Sequence, residues 1–391
     1  MSSGLSYRAG TAAVLALALT AWGGVTAATS SASAGPADCG VHLYPSLDPT
    51  GEHAHGEILA LTADGIYVGA SDDAAGRNQA TYWVHDVAHA VPVDLEDSGL
   101  LDVNDGHVAV GEGFDAEFDR RRGFVFDIDT GSVTWLPGLG GYWASARRIN
   151  EHGVAVGDGG TQNGTAHPLR WRPPYTRADR LPKVGGDRNG SGAWAAGIND
   201  RGEMVGSTSR GRLTPDKRDY GGVPAQEHWT DLDAIAWQPG PRTLEEAGPA
   251  SHTWSVNNAG RAVGFADVDA IQTTVAAYWS IGNGRLHLMG SPVPGMLVSY
   301  ALGVSEGGWA TGAVETEGTE EPERHAFLWA GSGELLMLPG LADGWRDNVS
   351  NTHGVDDSRD EVTGMLSVDG VSRPTVWRCA SQLGVSAQDE S

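Results

Sequence analysis

The chain has 391 residues, of which 50 are acidic and 26 basic, leaving a net charge of −24. That balance argues against nucleic acid or an anionic membrane as a partner, and it favours solubility. With 56 Gly and 14 Trp and little aliphatic-rich helical patterning, the composition points to many short strands joined by tight turns.

The first residues carry Arg8, an apolar run from Thr11 to Trp22 and small residues ending Ala32-Ser33-Ala34. A basic start, a short apolar core and an A-x-A site predict a secretory signal peptide over residues 1–34, cleaved before Gly35. The run is too short to span a membrane, and no other apolar stretch approaches 18 residues. Pro36-Ala37-Asp38 does not form a lipobox before Cys39. The expected product is an extracellular, soluble monomer without membrane insertion or cofactor.

Beyond Gly35 one nine-residue design recurs: strand end, Asn/Gly turn, second strand closing on glycine. It reads INEHGVAVG from Ile149 to Gly157, VNDGHVAVG from Val103 to Gly111, INDRGEMVG from Ile198 to Gly206, and VNNAGRAVG from Val256 to Gly264. Leu61–Gly69, Val304–Gly312 and Val355–Gly364 are weaker copies. The closing glycines are 42 to 58 residues apart, the length of a four-stranded propeller blade. Each glycine is followed by an aromatic that ends an apolar strand: Trp83, Phe126, Trp171, Trp237, Trp279, Trp329 and Trp377. A leucine strand such as Leu335 to Pro339 completes the unit. Each unit therefore holds strands a (ending Ile/Val-Asn), b (ending near Val-Gly), c (ending in the aromatic) and d (around Leu-Pro). The reading is all-β: a single seven-bladed β-propeller of four-stranded blades over residues 35–379, followed by a tail, 380–391. The strand-c aromatics are expected to pack between blades, and the turn asparagines to suit turn geometry and bond their own backbone.

Ile-Asn-x-x-Gly-x-x-Val-Gly, His325-Ala326-Phe327-Leu328-Trp329 and Leu136-Pro137-Gly138-Leu139-Gly140-Gly141 together resemble the HAF-repeat extracellular proteins. One unit keeps the His-Ala-Phe triplet intact, and the resemblance covers nearly the whole chain after Gly35. It implies a secreted, propeller-like protein and carries no chemistry with it.

The seventh unit has strands a, b and c, the last from Arg373 to Cys379, but no d. Val41-His42-Leu43-Tyr44-Pro45 resembles a strand d, so the N-terminal segment is expected to complete the last blade and remove its open edge. Cys39 and Cys379 flank that joint and are expected to form a disulfide.

Strand parity puts the a–b and c–d turns on one face, and the b–c loops and d–a crossings on the other. The first face is uniformly tight; the second varies. From Gly206 to Trp237 the spacing is 31 residues, against 13 to 17 elsewhere. The added segment, within Ser207 to Ala234, holds basic residues with His228 and Trp229, which are candidate ligand contacts. Loop variation on a rigid scaffold is where binding usually resides. Four residues before the Ile, Val or Leu opening each nine-residue motif stand Glu57, Gly99, Ser145, Trp194, His252, Tyr300 and Asn351. If strand a lines a central channel, these ring its mouth. Glu57 and His252 are then acid/base candidates, Trp194 and Tyr300 platforms, and Ser145 and Asn351 hydrogen-bonding groups. His53-x-His55 is expected on one side of a strand but lacks a third ligand, and no metal site is expected. Two functions remain open: a binding module for a glycan, cell-wall polymer or protein, and a hydrolase or lyase working at the channel mouth.

Overall fold

The computed structural model describes residues 39–184, 192–209, 232–238, 240–268, 273–290, 296–316, 324–341 and 349–379. These contain 28 β-strands and no helix, and so none long and apolar enough to cross a membrane. Strand β1 is Cys39–Leu43. Then come β2 (Gly56–Leu61), β3 (Tyr67–Asp72), β4 (Asn78–Val84) and β5 (Val87–Ala90), followed by β6 (Glu96–Val103), β7 (Val108–Asp115), β8 (Arg120–Asp127) and β9 (Ser132–Trp135). The third group is β10 (Gly140–Ile149), β11 (Ala155–Thr161), β12 (Ala166–Trp171) and β13 (Ala178–Arg180). The fourth is β14 (Ala193–Ile198), β15 (Met204–Ser209), β16 (Leu232–Trp237) and β17 (Pro241–Thr243). The fifth is β18 (Ser251–Val256), β19 (Arg261–Val268), β20 (Thr273–Ser280) and β21 (Arg285–Leu288). The sixth is β22 (Met296–Val304), β23 (Ala310–Thr316), β24 (Arg324–Trp329) and β25 (Leu336–Met337); β26 (Ser350–Asp356), β27 (Glu361–Val368) and β28 (Val371–Cys379) end the series.

Each group is an antiparallel four-stranded set, the last completed by β1 in the order β1-β28-β27-β26. Neighbouring sets are joined at two single parallel pairings, Trp143 opposite Arg121 and Thr274 opposite Val298. The first strands of the sets form a closed ring: β2, β6, β10, β14, β18, β22 and β26 each touch the next, and β26 touches β2. The fold is an all-β propeller.

The strand-c aromatics fill the space between sets and are all at most 3% exposed. Each buried indole removes about 200 Å² from water, worth on the order of 5 kcal/mol before ordering entropy. The indoles also tie sets to the end of the preceding strand d. The N–H groups of Trp83, Trp171, Trp237 and Trp377 donate to the carbonyls of Pro45, Pro137, Pro182 and Pro339, at the end of the preceding set's strand d. Trp279 bonds Glu245 in the same way, whereas Trp329 turns to Gly333 in its own hairpin.

Every first strand carries a register shift at the same place, leaving residue 59, 101, 147, 196, 254, 302 or 353 unpaired. The shift swings the carbonyl two residues earlier against the closing glycine of the motif. A β-carbon on any of these glycines would lie 1.8 to 2.4 Å from that oxygen.

The turn asparagines do more than suit a turn. None of the four has positive φ; that conformation falls later in the turn, at Gly153 or His107. Each Oδ1 accepts from the N–H four residues on, at 2.9 to 3.0 Å. Each Nδ2 donates to the next set: Asn104 to Asn150 O, Asn150 to Asn199 O, Asn199 to Asn257 O and Asn257 to Ser305 O. The following residue adds a second tier. Asp105, Glu151, Asp200, Asn258, Glu306 and Asp357 each accept a backbone N–H from the preceding set's turn.

At the closure β1 pairs with β28 from Cys39 opposite Cys379 to Leu43 opposite Thr375, and the two cysteines are joined by a disulfide. Beside it the buried carboxylate of Glu361 accepts from Tyr67, Arg359 and Arg378. Two expectations change: His53 and His55 lie in the loop before β2 rather than on a strand, and β25 has shrunk to Leu336–Met337.

Candidate functional site

The ring of first strands encloses a channel. Where these strands reach the a–b turns there is a cavity of about 210 Å³, walled by Asp102, Arg148 and His353 and rimmed by Glu151, Asp200 and Glu306. The wall groups also tie sets together: Asp102 Oδ2 accepts from Ile149 N–H at 2.8 Å, and Arg148 donates to Leu101 O. Burial pushes the Asp102 carboxyl up to about 6, against the pull of Arg148.

Glu57, in β2, keeps 40% of its side chain accessible although protein surrounds it, as befits a channel wall. Its Oε2 stands 3.8 Å from Nε2 of His353, and Asn351 Nδ2 lies 3.2 Å from the same nitrogen. Desolvation raises the Glu57 carboxyl, and desolvation with Arg148 and Arg324 lowers the imidazole to about 3. The structure thus brings Glu57 and Asn351 together around His353, which the sequence reading had not singled out.

His252 sits elsewhere, 3% exposed, its ring 4.4 Å from that of Trp254 and stacked on Phe265. Burial, with Arg147, pushes it down to about 3, and no hydrogen bond or ion pair joins it to Glu57. Ser145 is fully buried opposite Asp158, whose carboxylate accepts from Trp143 Nε1 and Arg147 Nε. Trp194, 2% exposed, packs with Trp143, Ala166 and Leu232. Tyr300, 5% exposed, packs with Phe265 and Leu302. Neither ring has a face open to a ligand. His228 and Trp229 lie outside the described residues. The unpaired position of each first strand offered a better signal. It reads Leu59, Leu101, Arg147, Ala196, Trp254, Leu302 and His353, an aliphatic series broken by three chemically capable side chains.

On the face of the b–c loops and d–a crossings lies a cavity of about 890 Å³ between the first two sets. Phe118 and Trp135 on its wall are 55% and 37% exposed, and Tyr142, at the start of β10, is 44% exposed. The Arg122 guanidinium stacks 3.9 Å from the Trp135 ring centre and bonds Asp115 at 2.8 Å; Arg120 lies 5.1 Å from the Phe118 ring. Sequence reasoning passed over this surface because Trp135 stands in a strand d, where leucine is the usual residue.

No family model matches the chain, and no curated protein matches it in sequence. Its fold is similar to an oligogalacturonate lyase solved in complex with manganese, at TM-score 0.56 and 10% identity over 89% of this chain and 99% of that one. It is also similar to the β-propeller domain of the trilobed protease from Pyrococcus furiosus, at TM-score 0.53 and 13% identity over 83% and 95%. A prolyl endopeptidase aligns at TM-score 0.53 and 11% identity over 84% of this chain, which spans 51% of that one. These likenesses bear on the fold alone.

Proposed function

We propose that the protein is a secreted, seven-bladed β-propeller of the HAF-repeat kind that binds a glycan on the face carrying the b–c loops and d–a crossings. The observation that carries this reading is the 890 Å³ cavity with the exposed rings of Phe118 and Trp135 on its wall. Pyranose rings present C–H faces that stack on aromatic side chains, and the polar groups around such rings fix orientation. The Cys39–Cys379 disulfide supports an oxidising compartment. A polysaccharide panel tested by affinity electrophoresis should yield a ligand, and Trp135→Ala should weaken it about tenfold, or about 1.4 kcal/mol. An unaffected variant would place the ligand elsewhere.

A second reading, a hydrolase or lyase, draws support from one contact: Glu57 and His353, a carboxyl and an imidazole from two different sets, meet at 3.8 Å in the channel. On that reading Glu57→Gln abolishes turnover on a polysaccharide that Trp135→Ala still turns over.

A further inference from the structure

The charge around the aromatic cavity is uneven. Asp94, Glu96, Asp97, Asp115 and Glu117 face Arg77 and Arg122. Both arginines are already engaged, Arg77 by Asp73 through Nε and Nη2, and Arg122 by Asp115. Asp94, Glu96, Asp97 and Glu117 are exposed, and of the four only Asp94 acts on an arginine, Arg77, which Asp73 already holds. The cavity therefore combines two exposed aromatic rings, each with one arginine beside it, with four exposed carboxylates that lie outside the hydrogen-bonded pairs.

We propose that its ligand is a glycan with free amino groups, a polymer of the glucosamine type. This rests on the glycan reading above and narrows it. The sugar ring lies on Phe118 or on the part of Trp135 that Arg122 leaves exposed, and the ammonium beside it pairs with the carboxylates. An N-acetylated sugar stacks equally well but brings an uncharged amide, and a uronic acid brings the wrong sign. Each exposed charge pair contributes little singly, so the preference comes from several pairs and is sensitive to salt. A basic peptide would satisfy the carboxylates but lacks the pyranose C–H face that stacks on the exposed aromatics.

The test is calorimetric titration of the full chain with a glucosamine hexamer and an N-acetylglucosamine hexamer, at low salt and at high salt. The glucosamine hexamer should bind about tenfold more tightly at low salt, and the advantage should shrink as salt rises. The double variant Asp94→Asn, Glu117→Gln, confirmed folded by its melting temperature, should weaken the glucosamine hexamer about fivefold and flatten its salt dependence. Equal or tighter binding of the acetylated hexamer overturns the charge inference and leaves the glycan reading standing. Binding of an oligolysine peptide with neither hexamer bound overturns it in favour of a basic protein partner. Failure of every saccharide in both this titration and the polysaccharide panel removes both proposals.

Discussion

The closing glycine of the repeat shows what one missing methyl group permits. In the third set Gly157 lies against the Ser145 carbonyl, and a β-carbon there would stand 2.0 Å from the oxygen. Gly131, in a hairpin turn with φ of +69°, has nothing within 4 Å of such a carbon. The two glycines are required for different reasons, one by space and one by dihedral. Gly157→Ala must push apart two paired strands and should lower stability by about 3 kcal/mol or more. Gly131→Ala should cost about 1 kcal/mol, the ordinary penalty of a left-handed residue. Urea denaturation of both variants checks this, and equal losses would refute the steric account. The spacing of these glycines was legible in the sequence, but their cause was not, because a bulge is a relation between two strands.

Among the elements, the a–b turn was recognisable as a turn from its Asn and Gly, whereas its reach into the neighbouring set was hidden. Asn150 looked locally sufficient because it caps its own backbone; the bond from its Nδ2 to Asn199 O exists only once the sets stand side by side. The residue after it is similar. Glu151 reads as a solvated turn residue, but it accepts a bond from Asp105 N–H and shares its surroundings with the carboxylates of Asp105, Asp200 and Asp102. Desolvation first, then those neighbours, push its carboxyl from 4.5 up to about 7. The folded protein thus holds this proton more tightly than the unfolded chain. The stabilisation is complete below about pH 4.5 and is lost as pH rises towards 7. The melting temperature should accordingly fall between pH 5 and pH 7.5, and Glu151→Gln should reduce that fall. A variant as steep as the wild type would show that the carboxylate is relaxed by solvent. The candidate site was less legible for the same kind of reason. Position 57 of β2 and position 353 of β26 each have a fixed phase in the repeat, two residues apart, but that these two side chains meet is a relation between neighbouring sets that neither strand's sequence shows.

At the scale of the molecule, the ring is held evenly except at one place. The asparagine links run from the second set to the sixth, and the sixth, the last and the first sets, with Ser305, Asp356 and Thr62 at that position, have no such amide. There the joint relies on β1, on Glu361 with its three donors, and on a disulfide between residues 340 apart in sequence. The chain-entropy estimate for so long a loop is on the order of 5 kcal/mol. Cysteine positions and the missing strand d made this closure legible from sequence. The exposure of Phe118 and Trp135 was not, because it depends on what the neighbouring crossings leave uncovered.

That closure also governs what happens when many copies fold at once. The contact between β1 and β28 is the most distant in sequence, so it forms late, after the other sets have propagated locally. Until then each molecule presents an unpaired edge on β28 and a loose β1, and the partner strand of another copy fits that edge equally well. At low concentration the tethered strand wins; at high concentration exchange between molecules competes, and oxidation then makes the exchange permanent. Refolding from denaturant under oxidising conditions should therefore give monomer at submicromolar concentration and a rising share of disulfide-linked dimers and open chains at tens of micromolar. Size exclusion with non-reducing electrophoresis would show this. Serine at both cysteines should make the exchanged species dissolve back to monomer on dilution, and a product ratio independent of concentration would refute the idea.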